Sequence, residues 1–242
     1  VPVRIAAPLV GDGLAPAPPA ATADHWQVVD VDLRVARLDL LGQGGTAEVR
    51  TLAAASAWAE EQGRTLLMAT NAGIFEPDYA PTGLFIARFQ TEAPLNTSSG
   101  RGNFFLQPNG VFAVDGDGRA RVLTTEKHAG RAIDGGVALA TQSGPVLLDE
   151  GLVHPRFQAG STNLRVRSGV GVSRSDPHLV RFAISTEPVR LYDMATFFRD
   201  ELGCDEALYL DGVISGMVGP DVPTTVWAPG PFAGVLVVTT GR

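Results

Sequence analysis

Apolar and polar side chains alternate with a period close to two over residues 26–41 (WQVVDVDLRVARLDLL), which predicts a long half-buried strand or one arm of a hairpin. The period then changes. Residues 47–62 (AEVRTLAAASAWAEEQ) are rich in helix formers, place Val49, Leu52, Ala53 and Ala57 at helical spacing, and run into Gly63, which suits the position just past a helix end. Residues 66–69 read as a buried strand that delivers Asn71 at its end, and residues 83–89 as the next strand, after a proline-containing turn at 77–82. Beyond a loop of small and polar residues at 96–102, three short strands at 103–107, 110–115 and 119–125 form a meander. Pro108-Asn109-Gly110 joins the first two, and a turn from Asp115 to Gly118 joins the next pair. Further strands are predicted at 137–140, 145–149, 166–174, 179–185, 207–211 and 233–240, interrupted by a second helix at 193–202 (DMATFFRDEL) with Asp193 at its start and Gly203 past its end. Many strands and two main helices predict an α+β fold, a mixed β-sheet or sheet sandwich with the helices packed on it. Residues 25–242 are expected to form one catalytic-type domain and residues 1–24 a flexible tether.

Composition narrows the function classes. A chain of 242 residues with 45% hydrophobic and 19% charged side chains can bury a full core. A net charge of −7 without any Lys/Arg run argues against nucleic acid, which needs a basic stripe to displace counterions. No apolar run approaches the roughly 18 residues of a transmembrane segment. The lone Cys204 permits neither an intrachain disulfide nor a Cys-based zinc site. The Pro/Ala/Gly-rich stretch 11–23 (GDGLAPAPPAATA) reads as a tether left after signal-peptide removal, hence a periplasmic or secreted location, although a trimmed chain would explain the same start.

Several familiar chemistries find no support. His25, His128, His154 and His178 show no ligand-like spacing, and Gly42 to Gly45 match neither nucleotide-binding glycine pattern. Ser143 lacks the GxSxG elbow of a Ser-His-Asp hydrolase. Four segments remain in which a polar residue lies beside glycine near a strand end: 71–75, 142–145, 167–171 and 211–215. Each alone reads as turn chemistry. Asp211, however, follows the apolar run Ala207-Leu208-Tyr209-Leu210 and so leaves a buried strand with little side-chain freedom, while Arg167 offers the planar fork suited to phosphate or carboxylate. An ordinary Arg–Asp ion pair is the competing structural reading.

Taken in order, the elements Asn71-Ala72-Gly73-Ile74-Phe75, Gln142-Ser143-Gly144-Pro145, Arg167-Ser168-Gly169-Val170-Gly171 and Leu210-Asp211-Gly212-Val213-Ile214-Ser215 resemble the motifs of the phosphodiester glycosidase family. The resemblance extends from about Asn71 to Met217. It is nearest to a bacterial subgroup with an Asn-Phe-Phe-Leu-x-Pro-Asn-Gly-Val-Phe stretch, here Asn103 to Phe112. Ala72 and Val213 stand where the family has a second glycine, a departure that bears on pocket shape and substrate.

The resemblance implies hydrolysis between a sugar's anomeric carbon and a phosphodiester oxygen, on a small or polymeric glycosyl-phosphate substrate. It implies Asp211, Arg167 and Asn71 as catalytic residues, and Gly73, Phe75, Asn103, Gln142, Ser143, Gly144, Gly212 and Ser215 as substrate-binding. Arg167 would hold the phosphate, with Ser143 and Ser215 adding hydrogen bonds. Asp211 would act as nucleophile or as the base for water. Asn71 would orient a sugar hydroxyl or acetamido group. Phe75 or Phe104 could stack on a sugar face, although a core role suits each better. Glu76, Asp78 and Asp134 are candidate second carboxylates, none favoured. No cofactor or metal is indicated, with Ca²⁺ or Mg²⁺ left open. A P–O-cleaving phosphodiesterase, a glycosidase for phosphate-free sugars and a non-catalytic sugar-phosphate-binding module remain as alternatives.

Overall fold

A computed structural model describes residues 23–42, 49–130, 136–212, 214–226 and 230–240. A 3-10 turn, Ala23–His25, leads into β1 (Trp26–Asp32) and β2 (Ala36–Gly42), followed by helix α1 (Leu52–Glu61), β3 (Leu66–Asn71), β4 (Phe85–Ala87) and β5 (Gln90–Ala93). Next come β6 (Gly110–Asp115), β7 (Ala120–Thr124), α2 (Thr125–Ala129), β8 (Val137–Ser143), β9 (Val146–Asp149) and β10 (Leu152–Val153). Then follow β11 (Ser168–Ser173), β12 (Leu179–Ser185) and α3 (Leu191–Thr196), which runs on into a π-helical turn, Phe197–Glu201. The chain ends with β13 (Cys204–Asp211), β14 (Gly216–Gly219), β15 (Val222–Val226) and β16 (Gly234–Thr240).

These strands make three sheets, ordered β1-β12-β11-β13-β9-β10, β15-β14-β3-β16-β2 and β5-β4-β8-β6-β7. The fold is α+β, as the patterning predicts, with antiparallel pairings throughout. One apolar core unites all three: Val170, Phe182, Leu208 and Leu210 of the first sheet meet Met68, Leu236 and Val238 of the second and Phe112 and Val114 of the third. The opposite faces are also covered. Val235 and Val237 of β16 pack with Leu52, Ala55 and Trp58 of α1, while Ala207 and Tyr209 of β13 pack with Met194 and Phe198 from α3 and its π turn. Strands buried on both faces read as continuous apolar runs, which is why β13 and β16 stand out in the sequence.

Four expectations need correction. Residues 26–41 are two strands in different sheets, because Asp32 Oδ1 accepts the Arg34 N–H at 3.0 Å and turns the chain between them; β1 then pairs with β12 and β2 with β16. Residues 103–107 form turns and bends instead of a strand, with Phe104 buried against Phe105. The second helix begins at Leu191, and Asp193 acts from inside its first turn, its Oδ2 accepting the Arg190 N–H at 3.2 Å. Residues 23 and 24 of the expected tether belong to the ordered 3-10 turn, and residues 1–22 lie outside the described residues. The edge strands β5, β10 and β15, the inner strand β14 and the short α2 carry no pattern that predicts them.

Close packing of α3 depends on missing side chains. A methyl group on Gly171 would stand 2.6 Å from the Phe198 ring and 2.8 Å from Cys204 Sγ, and one on Gly169 would stand 2.8 Å from Met194 Cε. Overpacking of this kind costs roughly 1–3 kcal/mol. Gly171→Ala is therefore expected to lower unfolding stability by about that amount, measured as a shift of the urea midpoint; an unchanged midpoint would contradict this packing.

Candidate active site

Strand ends from all three sheets converge at one place. Asn71 closes β3, Ser143 closes β8, Asp211 closes β13 and Ser168 opens β11, directly opposite Asp211 in register. A chain of buried hydrogen bonds ties them together. Asn71 Nδ2 donates to Ser168 Oγ at 3.0 Å, Ser168 Oγ lies 3.0 Å from Ser215 Oγ, and Ser215 Oγ donates to the Asp211 carbonyl at 2.9 Å. Asn71 Oδ1 accepts the Gly216 N–H at 3.1 Å, and its Nδ2 also donates to the Ala72 carbonyl at 3.0 Å. From the third sheet, Ser143 Oγ donates to the Leu210 carbonyl at 2.8 Å and accepts the Ile74 N–H at 3.3 Å. Leaving one such buried group unmade costs about 1–3 kcal/mol, so the network fixes the end of β13. The register slips between Ser168/Gly169 and Asp211/Tyr209, a bulge just before Asp211 that re-aims the strand end.

Asp211 itself is half-buried, and its Oδ1 accepts the Gly212 N–H at 2.5 Å. Burial pushes its carboxyl up to about 6, opposed by the backbone N–H groups of Gly212 and Ile214. Arg167 is only 1% exposed. Its Nε donates to the Val189 carbonyl at 2.9 Å, Nη2 to the Asn163 carbonyl at 3.1 Å and Nη1 to Tyr209 Oη at 3.4 Å. Burial lowers its basicity, which the neighbouring Tyr209 offsets. Among the described residues, neither Asp211 nor Arg167 forms an ion pair.

The other expected site residues divide by availability. Asn103 is exposed, and its side chain hydrogen-bonds the buried Tyr209 hydroxyl. Phe75 is half-buried and stacks on Tyr79 at 5.7 Å. Gly73 and Gly144 are places of close approach, where a methyl group would stand 2.4 Å from the Gln142 carbonyl and 2.7 Å from the Phe104 carbonyl. Gln142 is buried, with its amide fully used: Oε1 accepts from Leu84 N and Asn96 N, and Nε2 donates to the Asn96 carbonyl and Thr125 Oγ1. Asn71, Ser143 and Ser215 are likewise buried and engaged, so in this arrangement they position backbone and leave no free group toward a ligand. Phe104 is a core residue. Glu76 and Asp78 are exposed in a turn, where Asp78 Oδ1 accepts the Ala80 N–H; Asp134 and Val213 lie outside the described residues. Sequence reasoning missed Ser168 and Tyr209 as members of the site. The signal for Tyr209 is a hydroxyl placed two residues before Asp211 in the otherwise aliphatic run 207–210.

Nothing comparable converges in the cleft of about 470 Å³ lined by Arg119, Arg174 and Glu206, at the far ends of β11 and β13, where Arg174 already pairs with Asp205. Among the described residues, no group of three or more His, Cys, Asp or Glu side chains could hold a metal, and no helix is long and apolar enough to cross a membrane.

The same region carries the likeness to known proteins. The sequence is 34% identical over 219 residues to the uncharacterized protein YigE of Escherichia coli (strain K12), covering 88% of this chain and 81% of that protein. The fold matches the catalytic domain of zebrafish N-acetylglucosamine-1-phosphodiester alpha-N-acetylglucosaminidase, auto-inhibited by its pro-peptide, with a TM-score of 0.62 and 18% identity over 90% of this chain and 77% of that one. It also matches a Burkholderia pseudomallei K96243 protein described as a candidate exported protein, with a TM-score of 0.55 and 13% identity over 88% and 73% of the two chains. The family description "Phosphodiester glycosidase" fits residues 64–229, a span that holds Asn71, the buried serines, Arg167 and Asp211, and on this evidence the chain belongs to the phosphodiester glycosidase family.

Proposed function

We propose that this chain is a hydrolase that cuts the bond between a sugar's anomeric carbon and a phosphodiester oxygen, acting on envelope or extracellular glycans from a periplasmic or secreted location. Family membership supports the reaction class, and the structural neighbour described as a candidate exported protein is consistent with the location. One observation carries the reading: two opposite charges, Asp211 and Arg167, are built into the same strand-end region and left unneutralised by each other. A structural pair would have closed into a salt bridge, because an uncompensated buried charge is costly. Charges kept apart at this cost fit a site that awaits a substrate carrying charge of its own.

In the proposed reaction the anomeric C–O bond breaks, the phosphate departs with the bonding electron pair as a stable anion, and water supplies the new oxygen on the sugar. Asp211 either takes the proton of that water or attacks first and is then released by it. Arg167 is too enclosed to grip a phosphate with its open fork, so its part is that of a fixed positive charge. The attraction of a fixed unit charge for an anion falls with the inverse of distance, and is about 2 kcal/mol at roughly 8 Å for an effective dielectric of about 20. The exposed Asn103 carboxamide supplies the direct polar contact, and Phe75 a partly exposed apolar face. Asn71, Ser143, Ser168 and Ser215 hold this geometry from beneath.

Both routes need Asp211 ionised, so activity should fall as pH drops through about 6. The same group links stability to pH. A carboxyl raised from 3.8 to about 6 in the fold favours the folded state fully below about pH 4, and this contribution is lost as pH rises through 6. Asp211→Asn should therefore gain stability relative to wild type between pH 4 and pH 8, read from urea unfolding at both; a constant difference would contradict the raised carboxyl. The same variant should lose roughly 10²–10⁴-fold in turnover of a glycosyl phosphodiester, and wild-type turnover by it would overturn the assignment. Hydrolysis in heavy-oxygen water should label the sugar, whereas label in the phosphate would mean P–O cleavage.

A further inference from the structure

Tyr209 has more polar engagement than its place in an apolar strand requires. The ring packs in the cluster of Met194, Phe198 and Ala207, a role that phenylalanine would fill equally. The hydroxyl is what needs explaining, since burying one without partners is unfavourable by about 1–3 kcal/mol. It lies at a junction of three elements. Arg167 Nη1 donates to it at 3.4 Å, with the guanidinium carbon 5.5 Å from the ring centre; the Asn103 side chain hydrogen-bonds it; and a methyl group on Gly212 would stand 2.2 Å from it. Gly212 is thus the residue beside Asp211 whose missing side chain makes room for this oxygen.

The hydroxyl stays protonated, because burial pushes it up to about 12, and so it has no acid–base part near neutral pH. An arginine can only donate. Tyr209 therefore accepts from Arg167, and the Asn103 carboxamide, whose hydrogen bond favours the ionised hydroxyl, is a second donor to the same oxygen. Arg167 Nε and Nη2 are held by backbone carbonyls, whereas Nη1 is held by Tyr209.

We infer that Tyr209 is a positioning residue whose hydroxyl fixes the buried Arg167 guanidinium and the exposed Asn103 carboxamide relative to each other, so that charge and contact reach the substrate phosphate together. The inference rests on the part given to Arg167 under the proposed function. It assigns Tyr209 to the site through Arg167 and Asn103, without contact with the reacting atoms.

A double-mutant cycle tests it. On a glycosyl phosphodiester, Tyr209→Phe should lower kcat by roughly 10-fold with KM changed less than about 3-fold, yet cost under about 3-fold when Arg167 is already Lys. An equal loss in both backgrounds would overturn the inference. Asn103→Ala, at an exposed position that leaves the core intact, should show the same non-additivity with Arg167→Lys, and simple additivity there would count against it should Tyr209→Phe fold poorly. A readout in the free protein needs no substrate: the Arg167 side-chain ¹⁵N resonances should be separate and slowly exchanging in wild type and merge in Tyr209→Phe. Unchanged resonances would sink the inference even if the enzyme proves inactive on every diester tried. Wild-type turnover by Arg167→Lys would instead refute the part given to Arg167, with the resonances still deciding whether Tyr209 holds it.

Discussion

The arrangement depends on one run of buried hydrogen bonds, from Asn71 through Ser168 and Ser215 to the Asp211 carbonyl. Each sheet ends its strands here, and strand ends leave polar backbone that must find partners away from water. Short hydroxyl and amide side chains meet that need without filling the space. The result is a rigid floor, contributed by three sheets, on which the half-buried Asp211 carboxyl is set. Nearby packing reinforces it, with Leu208 and Leu210 in the shared core and Tyr209 against α3.

Rigidity explains how two opposite charges can remain apart. Arg167 is anchored by the Val189 and Asn163 carbonyls and the Tyr209 hydroxyl, all of them neutral, so it is hydrogen-bonded without being neutralised. Asp211 is likewise hydrogen-bonded by backbone N–H groups while burial holds its carboxyl well above the ordinary carboxylate range. Preorganised charge of this kind stabilises charge that develops during a reaction, without reorganisation at that moment. The unfavourable burial is offset by the large apolar core below.

Much of this was legible in the chain. Asn71, Ser143 and Asp211 show themselves because polar residues next to glycine at the end of an apolar run mark strand ends, and strand ends are where the three sheets meet. What the pattern could not convey was which strand joins which sheet: the period of two passes unbroken through residues 26–41, although the turn at Arg34 sends β1 and β2 to different sheets. The aromatic stretch at 103–107 reads as a strand because buried Phe104 looks the same to a hydropathy pattern in a loop as in a sheet. Availability was equally hidden. Gln142 and Asn71 look like ligand-binding amides, but each side chain is spent on backbone and neighbouring hydroxyls, while Tyr209 looks like core and carries the polar junction.

The central claim is that the fold holds a recessed Asp211 carboxyl in the same strand-end region as a buried Arg167 guanidinium with which it forms no ion pair. A ¹³C-carboxyl NMR titration of Asp211 in the ligand-free protein tests it most directly. The account requires a midpoint at about 6. A midpoint at or below the ordinary aspartate value of about 3.9 would mean a paired or solvated carboxylate and would contradict it.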